Sequence, residues 1–386
     1  MRVSPPDGAA FVHGRVLALD AGTALVWSEG RVARVTIVGP PTIDLRVGDL
    51  VVVRDGIAEV VHRGDGTWPP GDGRPGADLG RFLGDRWRVL AARSRLLAAT
   101  RNWFAHQGFL EVETPLLVPS AGTEVHVDPV TATLHPRPGA GPENRYLITS
   151  PEYAMKRLLA AGAGPIYQLG RVFRDGERGR RHRPEFTLLE WYRPWVDGYD
   201  AILEDCEQLL RTLAGADAIT WQGRAFDLTP PFPRIAFFDA LRERADMAHP
   251  EDLDPERWLQ AYVERVEATL GVERPEFLVR WPRALASLAR AAPDDARVAE
   301  RVELYVGGLE LGNGFAELTD PVEQRARCEA ENTERRALGK PAMPIDEDFL
   351  GALQAGMPPS AGIAVGFDRL VMLLADAASI DDVIAF

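Results

Sequence analysis

The sequence predicts an α+β protein in which a small, strand-rich N-terminal module precedes a larger mixed domain. Three observations point there. Five short β-rich runs crowd into the first 63 residues. Residues 64–80 hold nine Gly or Pro in seventeen positions. From Arg81 onward, helical and strand patterns mix without regular β–α alternation, which suits a sheet dominated by antiparallel pairs and flanked by helices.

The first five runs are FVHGRVLAL, TALVWS, RVARVTIVG, DLVVVRD and IAEVVHR, separated by Gly, Asp and Pro. Five strands in so short a segment predict a small barrel of the oligonucleotide/oligosaccharide-binding kind over residues 1–63. Its charge is nearly balanced, with seven Arg against eight acidic residues from Met1 to Asp65. That balance supports nucleic-acid binding only weakly, and a packing or partner module fits equally well. Residues 64–80 have the composition of a linker. The larger domain, residues 81–386, opens with an amphipathic helix whose apolar side carries Val89, Leu90, Leu96, Leu97, Trp103 and Phe104, with Gly108 to end it. YLITS then reads as a strand and PEYAMKRLLAAG as a helix with Pro151 at its start. PIYQLGRVFR and EFTLLEWYRP read as two strands around a polar loop, and YDAILEDCEQLLRTLAG and PERWLQAYVERVEATLG as helices. RVELYVGGLELGNGFAEL reads as a hairpin turning at Gly307–Gly308, and GIAVG as a strand running into the helix FDRLVMLLADA.

Composition excludes several classes. The chain has 386 residues, 46% hydrophobic and 26% charged, which is globular rather than disordered or collagenous. The hydrophobic stretches are too short to span a membrane. MRVSPPDGAAFVHGRV lacks the pattern of a signal peptide. Cys206 and Cys328 lie far apart and form no metal or redox spacing, so a cytoplasmic, thiol-reduced setting is expected. The net charge of -13 argues against non-specific nucleic-acid binding. Lys156 and Lys340 are the chain's two lysines, among 44 basic residues, which reads as a coding bias towards Arg.

Strand parity groups the candidate chemistry. Alternation places Phe186, Leu188, Glu190 and Tyr192 on one face and Thr187, Leu189 and Trp191 on the other. A buried carboxylate requires a partner, so Glu190 and Tyr192 read either as a hydrogen-bonded core pair or as part of a site. Gln168 and Arg174 share a face of the preceding strand. The loop between, DGERGRRHRP, reads either as a solvated turn or as a polyphosphate-binding loop. Asn313, Phe315 and Glu317 share parity; Glu310 joins them only through a β-bulge, expected near Gly312–Gly314. Glu303 and Glu310 flank the Gly-Gly turn and read either as exposed edge carboxylates or as a pair for Mg²⁺ shared with phosphate. Arg369 falls in a first helical turn, where its charge opposes the dipole unless an anion, Asp368 or solvent offsets it.

Taken in order, FLEVETPLL, FRDGERGRRHRPEFTLLEWY and GIAVGFDRL resemble the three motifs of class II aminoacyl-tRNA synthetases of the lysyl branch, with TSPEY and GLELGNGFAEL between them. The resemblance covers about residues 85–386. Within that superfamily, TSPEYAMKRLLAAGAGPIYQLGRVFR and PEFTLLEWYRP are similar to the elongation factor P lysine ligases. Ala364 is a further pointer, since lysyl-tRNA synthetases carry Gly there and the ligases Ala. One methyl in a pocket shifts selectivity by about 1–3 kcal/mol.

The resemblance implies a class II synthetase-like sheet and roles for particular residues. Arg174 would hold the α-phosphate and Arg369 the γ-phosphate, both as catalytic residues. Phe186 would stack on adenine, and Gly366 would let the nucleotide approach closely. Asp175, Gly176, His182, Arg183 and Leu311 complete the expected nucleotide contacts. Glu303 and Glu310 would bind Mg²⁺. Ser150, Pro151, Glu152, Glu190, Tyr192, Asn313, Glu317 and Ala364 would line the amino-acid pocket. Two departures stand out: Gly176 replaces a family Glu, beside Glu177, and Arg183 replaces an adenine-reading Asn.

The activity so implied uses ATP to activate (R)-β-lysine, or lysine, as an acyl-adenylate, and transfers it to a lysine of elongation factor P. The implied protein is a homodimer without membrane association, and its acceptor is a protein rather than tRNA. The alternatives are a compact lysyl-tRNA synthetase and a weakly active adenylate-binding regulator.

Overall fold

A computed structural model describes all residues except 1–10, 21, 39–43, 71–75, 84, 138–140 and 287. The chain divides into two compact units, residues 1–92 with 384–386, and residues 93–383.

In the first unit, the five β-rich runs form β1 (Phe11–Asp20), β2 (Thr23–Ser28), β3 (Arg31–Thr36), β4 (Leu50–Arg54) and β5 (Ile57–His62). They pair antiparallel in the order β3-β2-β1-β4-β5. The expected barrel is not closed: among the described residues β3 and β5 form no ladder. Val38, beyond β3, donates only a single backbone bond of 2.7 Å to Gly56 in the β4–β5 turn. Alternation turns Val16, Ala24, Val26, Val51, Val53 and Ala58 into one core. Buried Asp49 accepts from the Gly64 amide at 2.7 Å and from Arg63 at 2.9 Å, and Arg15 stacks over Trp68 at 4.4 Å. The start of the Gly/Pro-rich stretch is thereby folded back onto the strands; its residues 71–75 lie outside the described residues.

The boundary between units falls within helix α1 (Arg86–His106). Beyond it come the short β6 (Leu110–Glu111) and β7 (Leu117–Val118), separated by Pro115, then β8 (Thr131–Leu134) and β9 (Glu143–Leu147). Helix α2 (Glu152–Ala160) follows, with Pro151 as its N-cap. The hairpin β10 (Ile166–Phe173) and β11 (Glu185–Pro194) leads to α3 (Asp200–Ala214), which Gly215 terminates at a φ of 66°. Next are β12 (Ala218–Trp221), β13 (Arg224–Asp227), β14 (Arg234–Ala236), α4 (Phe237–Ala245) and α5 (Pro255–Ala261). The helical pattern here does not run on to Gly271. It widens into a π-helical turn at Tyr262–Val266, which directs buried Tyr262 at Glu303 and Tyr305. Then follow β15 (Glu276–Pro282), β16 (Val298–Val306), β17 (Leu309–Ala316), α6 (Pro321–Ala337), α7 (Glu347–Gly356), β18 (Ser360–Gly366), α8 (Phe367–Leu374) and α9 (Ile380–Val383).

Eight strands make one sheet in the order β14-β15-β16-β17-β18-β11-β10-β6, antiparallel except at its two ends. Gly307 and Gly308 turn the β16–β17 hairpin with φ of 61° and 70°, a conformation that glycine adopts without strain. On one face of β11, Trp191 and its neighbour Tyr167 meet Phe104 of α1. On the other, Tyr192 and Ile166 pack with Met155 and Leu159 of α2 and Phe349, Leu350 and Leu353 of α7. The site lies on this second face.

Candidate active site

Strand register assembles the site. Gln168 pairs with Glu190, Glu190 with Ala364, Ala364 with Asn313, and Asn313 with Glu303. Directly paired residues share a face, so five adjacent strands present one row. The adjoining row is Ile166, Tyr192, Gly362, Phe315 and Arg301. With strands about 4.8 Å apart, Glu190 and Glu303 are separated by about 14 Å across the sheet.

Three carboxylates gather at the β11 end. Glu190 is buried and accepts from Ser150 Oγ at 2.8 Å and from Tyr192 Oη at 2.6 Å. Ser150 also accepts from the Glu152 amide at 3.1 Å, which ties the start of α2 to the pocket. Glu152 and Glu317 hold the ammonium of buried Lys156 between them, each at 2.5 Å. Among the described residues no hydrogen-bond donor reaches the other, buried Glu317 oxygen, Oε1, and an ammonium group suits it. Burial, then the nearby Glu152, raises Glu190 to about 7. Burial likewise raises Glu317 to about 8, against the opposing pull of Lys156. Burial would lower Lys156, but Glu152 and Glu317 outweigh it and its proton is held more tightly than usual. Gly362 carries no side chain here for a steric reason: a Cβ would lie 2.2 Å from the Tyr192 ring and 2.9 Å from Glu317 Oε1.

The cationic end is built from the β10–β11 loop and the start of α8. The Arg174 guanidinium stacks over Phe186 at 5.1 Å, its Nη1 lies 3.6 Å from Glu177, and its buried Nε has no hydrogen-bond partner among the described residues. That unpaired donor suits a phosphate oxygen. Arg369 donates to the Glu310 carbonyl at 2.8 Å and to His182 Nε2 at 2.5 Å, and lies 3.4 Å from Glu310 Oε2. Glu310 and His182 thus meet its charge. Asp368 does not: it is buried against Arg93 at 2.5 Å and the Thr187 amide at 2.9 Å. Burial, then Arg369, holds His182 below its ordinary value, and Glu177, Glu310 and Arg174 also act on it. Arg369, Glu310 and Arg174 thus all act on the one His182 ring, which marks the cationic locus.

Other candidate positions fall as follows. The bulge lies at Leu311, opposite Leu304–Tyr305, and not within Gly312–Gly314; it brings Glu310 opposite Tyr305, on the Glu303 face. Glu303 is buried, bonded to Arg301 and Tyr305 at 2.5 Å, and raised to about 7 by burial and, among charges, by Glu310. Two mutually repelling carboxylates beside the cationic locus fit a Mg²⁺ ion delivered with a triphosphate. Asn313 Oδ1 accepts from Arg301 Nε at 3.3 Å. Asp175 is anchored by its amide to the Asp128 carbonyl at 2.7 Å and caps the Gly176 amide at 2.9 Å. Gly176 has a φ of 75°, where a residue with a side chain would be strained. Arg183 is turned to Asp381 at 2.5 Å, outside the row. Among the described residues a Cβ on Gly366 would meet only the Arg369 stem, at 3.5 Å.

Sequence reasoning missed three contributors. Lys156 had one signal: a lysine four residues after Glu152 in a chain that otherwise uses Arg. Arg301 stacks on Trp281 at 4.1 Å and bridges Glu303 to Asn313. Glu124, raised to about 7 by burial, feels Arg174, Glu152, Glu331 and Arg301. Buried Arg335 holds that loop by donating to the carbonyl of Glu124 at 2.6 Å and to Asp128 at 2.8 Å.

The family of class II tRNA synthetases (D, K and N) matches residues 85–386. An elongation factor P (R)-β-lysine ligase of Erwinia tasmaniensis is 47% identical over 308 residues, covering 77% of this chain and 94% of the relative. Its counterpart from Proteus mirabilis is 43% identical over 325 residues, covering 82% and 97%. That from Photorhabdus laumondii is 45% identical over 305 residues, covering 77% and 94%. The chain belongs to the class II tRNA synthetase family and, within it, to the group of the elongation factor P (R)-β-lysine ligases.

Proposed function

We propose that this chain is an ATP-dependent ligase that activates (R)-β-lysine, or more weakly lysine, and transfers it to a lysine side chain of elongation factor P. The observation that carries the reading is the row Glu190–Ala364–Asn313–Glu303. It joins a triple-carboxylate pocket for ammonium groups to a cationic locus for a triphosphate. In the first step the substrate carboxylate attacks the α-phosphorus of ATP and pyrophosphate leaves. In the second, the acceptor ε-amine attacks the acyl carbon and AMP leaves. Arg174 stabilises charge on the α-phosphoryl group, and Arg369 holds the far end of the triphosphate. His182, kept neutral, accepts from Arg369 and orients it. Phe186 offers the adenine a stacking surface, while Asp175 and Gly176 shape the loop. Glu303 and Glu310 would hold Mg²⁺, which neutralises phosphate charge when bound. Ser150, Glu152, Tyr192 and Glu317 address the amino acid, and the Ala364 methyl narrows the pocket between Glu190 and Asn313. We assign residues 81–386 to catalysis, the OB-like N-terminal strands to an accessory role, and the working form to a homodimer.

The test is to incubate the protein with ATP and radiolabelled (R)-β-lysine or lysine in the presence of elongation factor P or tRNA. Label on elongation factor P supports the reading. Label on tRNA would replace it with a compact lysyl-tRNA synthetase, and nucleotide binding without pyrophosphate exchange with a regulator.

A further inference from the structure

Resting on that reading, we propose that Lys156 is a positioning and specificity residue: its buried ammonium locks Glu152 and Glu317 in place and sets the charge that the amino-acid pocket presents. The side chain is fully buried, and its Nζ lies 2.5 Å from both Glu152 Oε1 and Glu317 Oε2. An ammonium in so dry a place is tolerated because both carboxylates are fixed on it, and they in turn are fixed by it. Glu152 comes from α2 itself, Glu190 and Tyr192 from β11, and Glu317 from the end of β17. The Phe349 ring of α7 lies 5.9 Å away. Glu124 feels both Glu152 and Arg174.

Charge counting gives the consequence. Glu152, Glu190 and Glu317 carry three negative charges when ionised, and Lys156 cancels one. Two remain, which matches the two ammonium groups of a diamino acid. Glu317 Oε1 is where one of them is received: no donor among the described residues reaches it, whereas Lys156 Nζ lies 2.5 Å from Oε2. Burial already raises Glu190 to about 7 and Glu317 to about 8 with Lys156 in place, and without its lowering effect they would keep their protons to higher pH. A substrate ammonium would then have to displace those protons from carboxylates no longer held in register.

The test uses the full chain and pyrophosphate exchange driven by (R)-β-lysine, from pH 6 to 9. Lys156→Met should raise the diamino-acid KM at pH 7 by about 30-fold or more, the scale for breaking a buried charge pair. The ATP KM should stay within about twofold, because Lys156 lies outside the triphosphate locus. The KM gap should narrow towards pH 9, as the carboxylates ionise. Adding Glu152→Gln to Lys156→Met restores the count and should recover part of the loss, which a packing role would not allow. A Lys156→Met enzyme with an unchanged or lower KM overturns the proposal. So does a loss that is equal at every pH and not relieved in the double variant. Should Lys156→Met fail to fold, Glu152→Gln alone keeps volume and lysine but lowers the count by one. It should cut the preference for (R)-β-lysine over 3-aminohexanoic acid, which lacks the distal amine, about tenfold or more. An unchanged preference overturns the proposal. A wild-type protein without diamino-acid-dependent exchange would instead overturn the functional reading itself.

Discussion

Gly362→Ala isolates the amino-acid pocket with one methyl group. The backbone at this position accepts alanine, so the effect is steric alone. The new Cβ would lie 2.2 Å from the Tyr192 ring, whereas carbon atoms rest about 3.5 Å or more apart. The ring must therefore retreat by about 1.3 Å, or the strands must part. Neither movement preserves the 2.6 Å bond from Tyr192 to Glu190. Losing a hydrogen bond to a charged group costs about 1.5–3 kcal/mol, or about 10- to 150-fold in affinity. Overpacking adds about 1–3 kcal/mol of destabilisation. The assay is pyrophosphate exchange at pH 8 with amino acid and ATP varied in turn, alongside a thermal melt. We expect a higher amino-acid KM, an unaltered ATP KM and a lower Tm. A variant with wild-type amino-acid KM and Tm would show that the Tyr192–Glu190 pair is not fixed by this contact.

Further tests address the other parts of the site. Arg174→Ala should lower exchange by about 100- to 1,000-fold or more; near-normal exchange would refute its phosphate role. Gly366→Ala meets nothing closer than the Arg369 stem, so it should leave Tm unchanged while raising the ATP KM; an unchanged ATP KM would remove the nucleotide from that position. Burial raises Glu124, Glu190 and Glu303 to about 7 and Glu317 to about 8. An acid raised on folding favours the folded state while protonated, so the Tm of the unliganded protein should fall as pH rises from about 5 to about 8 and level off above that. Depression of His182 acts in the opposite sense but involves one group. Saturating (R)-β-lysine should reduce that fall, and a pH-independent Tm would contradict the buried charges. Arg335→Met removes a buried guanidinium from Asp128 and the Glu124 loop and should destabilise by about 3 kcal/mol, read by denaturant unfolding.

Much of this arrangement is legible in the amino-acid order. The five N-terminal strands and the Gly307–Gly308 turn follow local rules of alternation and turn chemistry. Parity correctly places Glu190 beside Tyr192, and a bulge does bring Glu310 onto the Glu303 face. The bulge's position is not local information: the pairing of β16 with β17 sets it at Leu311. β15 gives a weak signal, being bounded by Pro275 and Pro282 and broken at Arg280, whose φ is 55°. Closure of the N-terminal sheet depends on whether its edges meet, which strand count does not decide. Lys156, Arg301 and Arg335 acquire their partners through the fold. Lys156 finds Glu317 161 residues away, and Arg335 meets Asp128 207 residues away, so no window of sequence contains either pair.

The shared row across β10, β11, β18, β17 and β16 bears on how the protein matures. A slip of one residue in any strand would turn its contributor to the opposite face. Ala364 reaches its place only after some two hundred residues separating it from Gln168 have been threaded and zipped. Long-range strand pairing of this kind is slow to form. Adenylate chemistry is therefore withheld from incompletely assembled chains, and the onset of exchange during refolding should coincide with the last step of sheet closure.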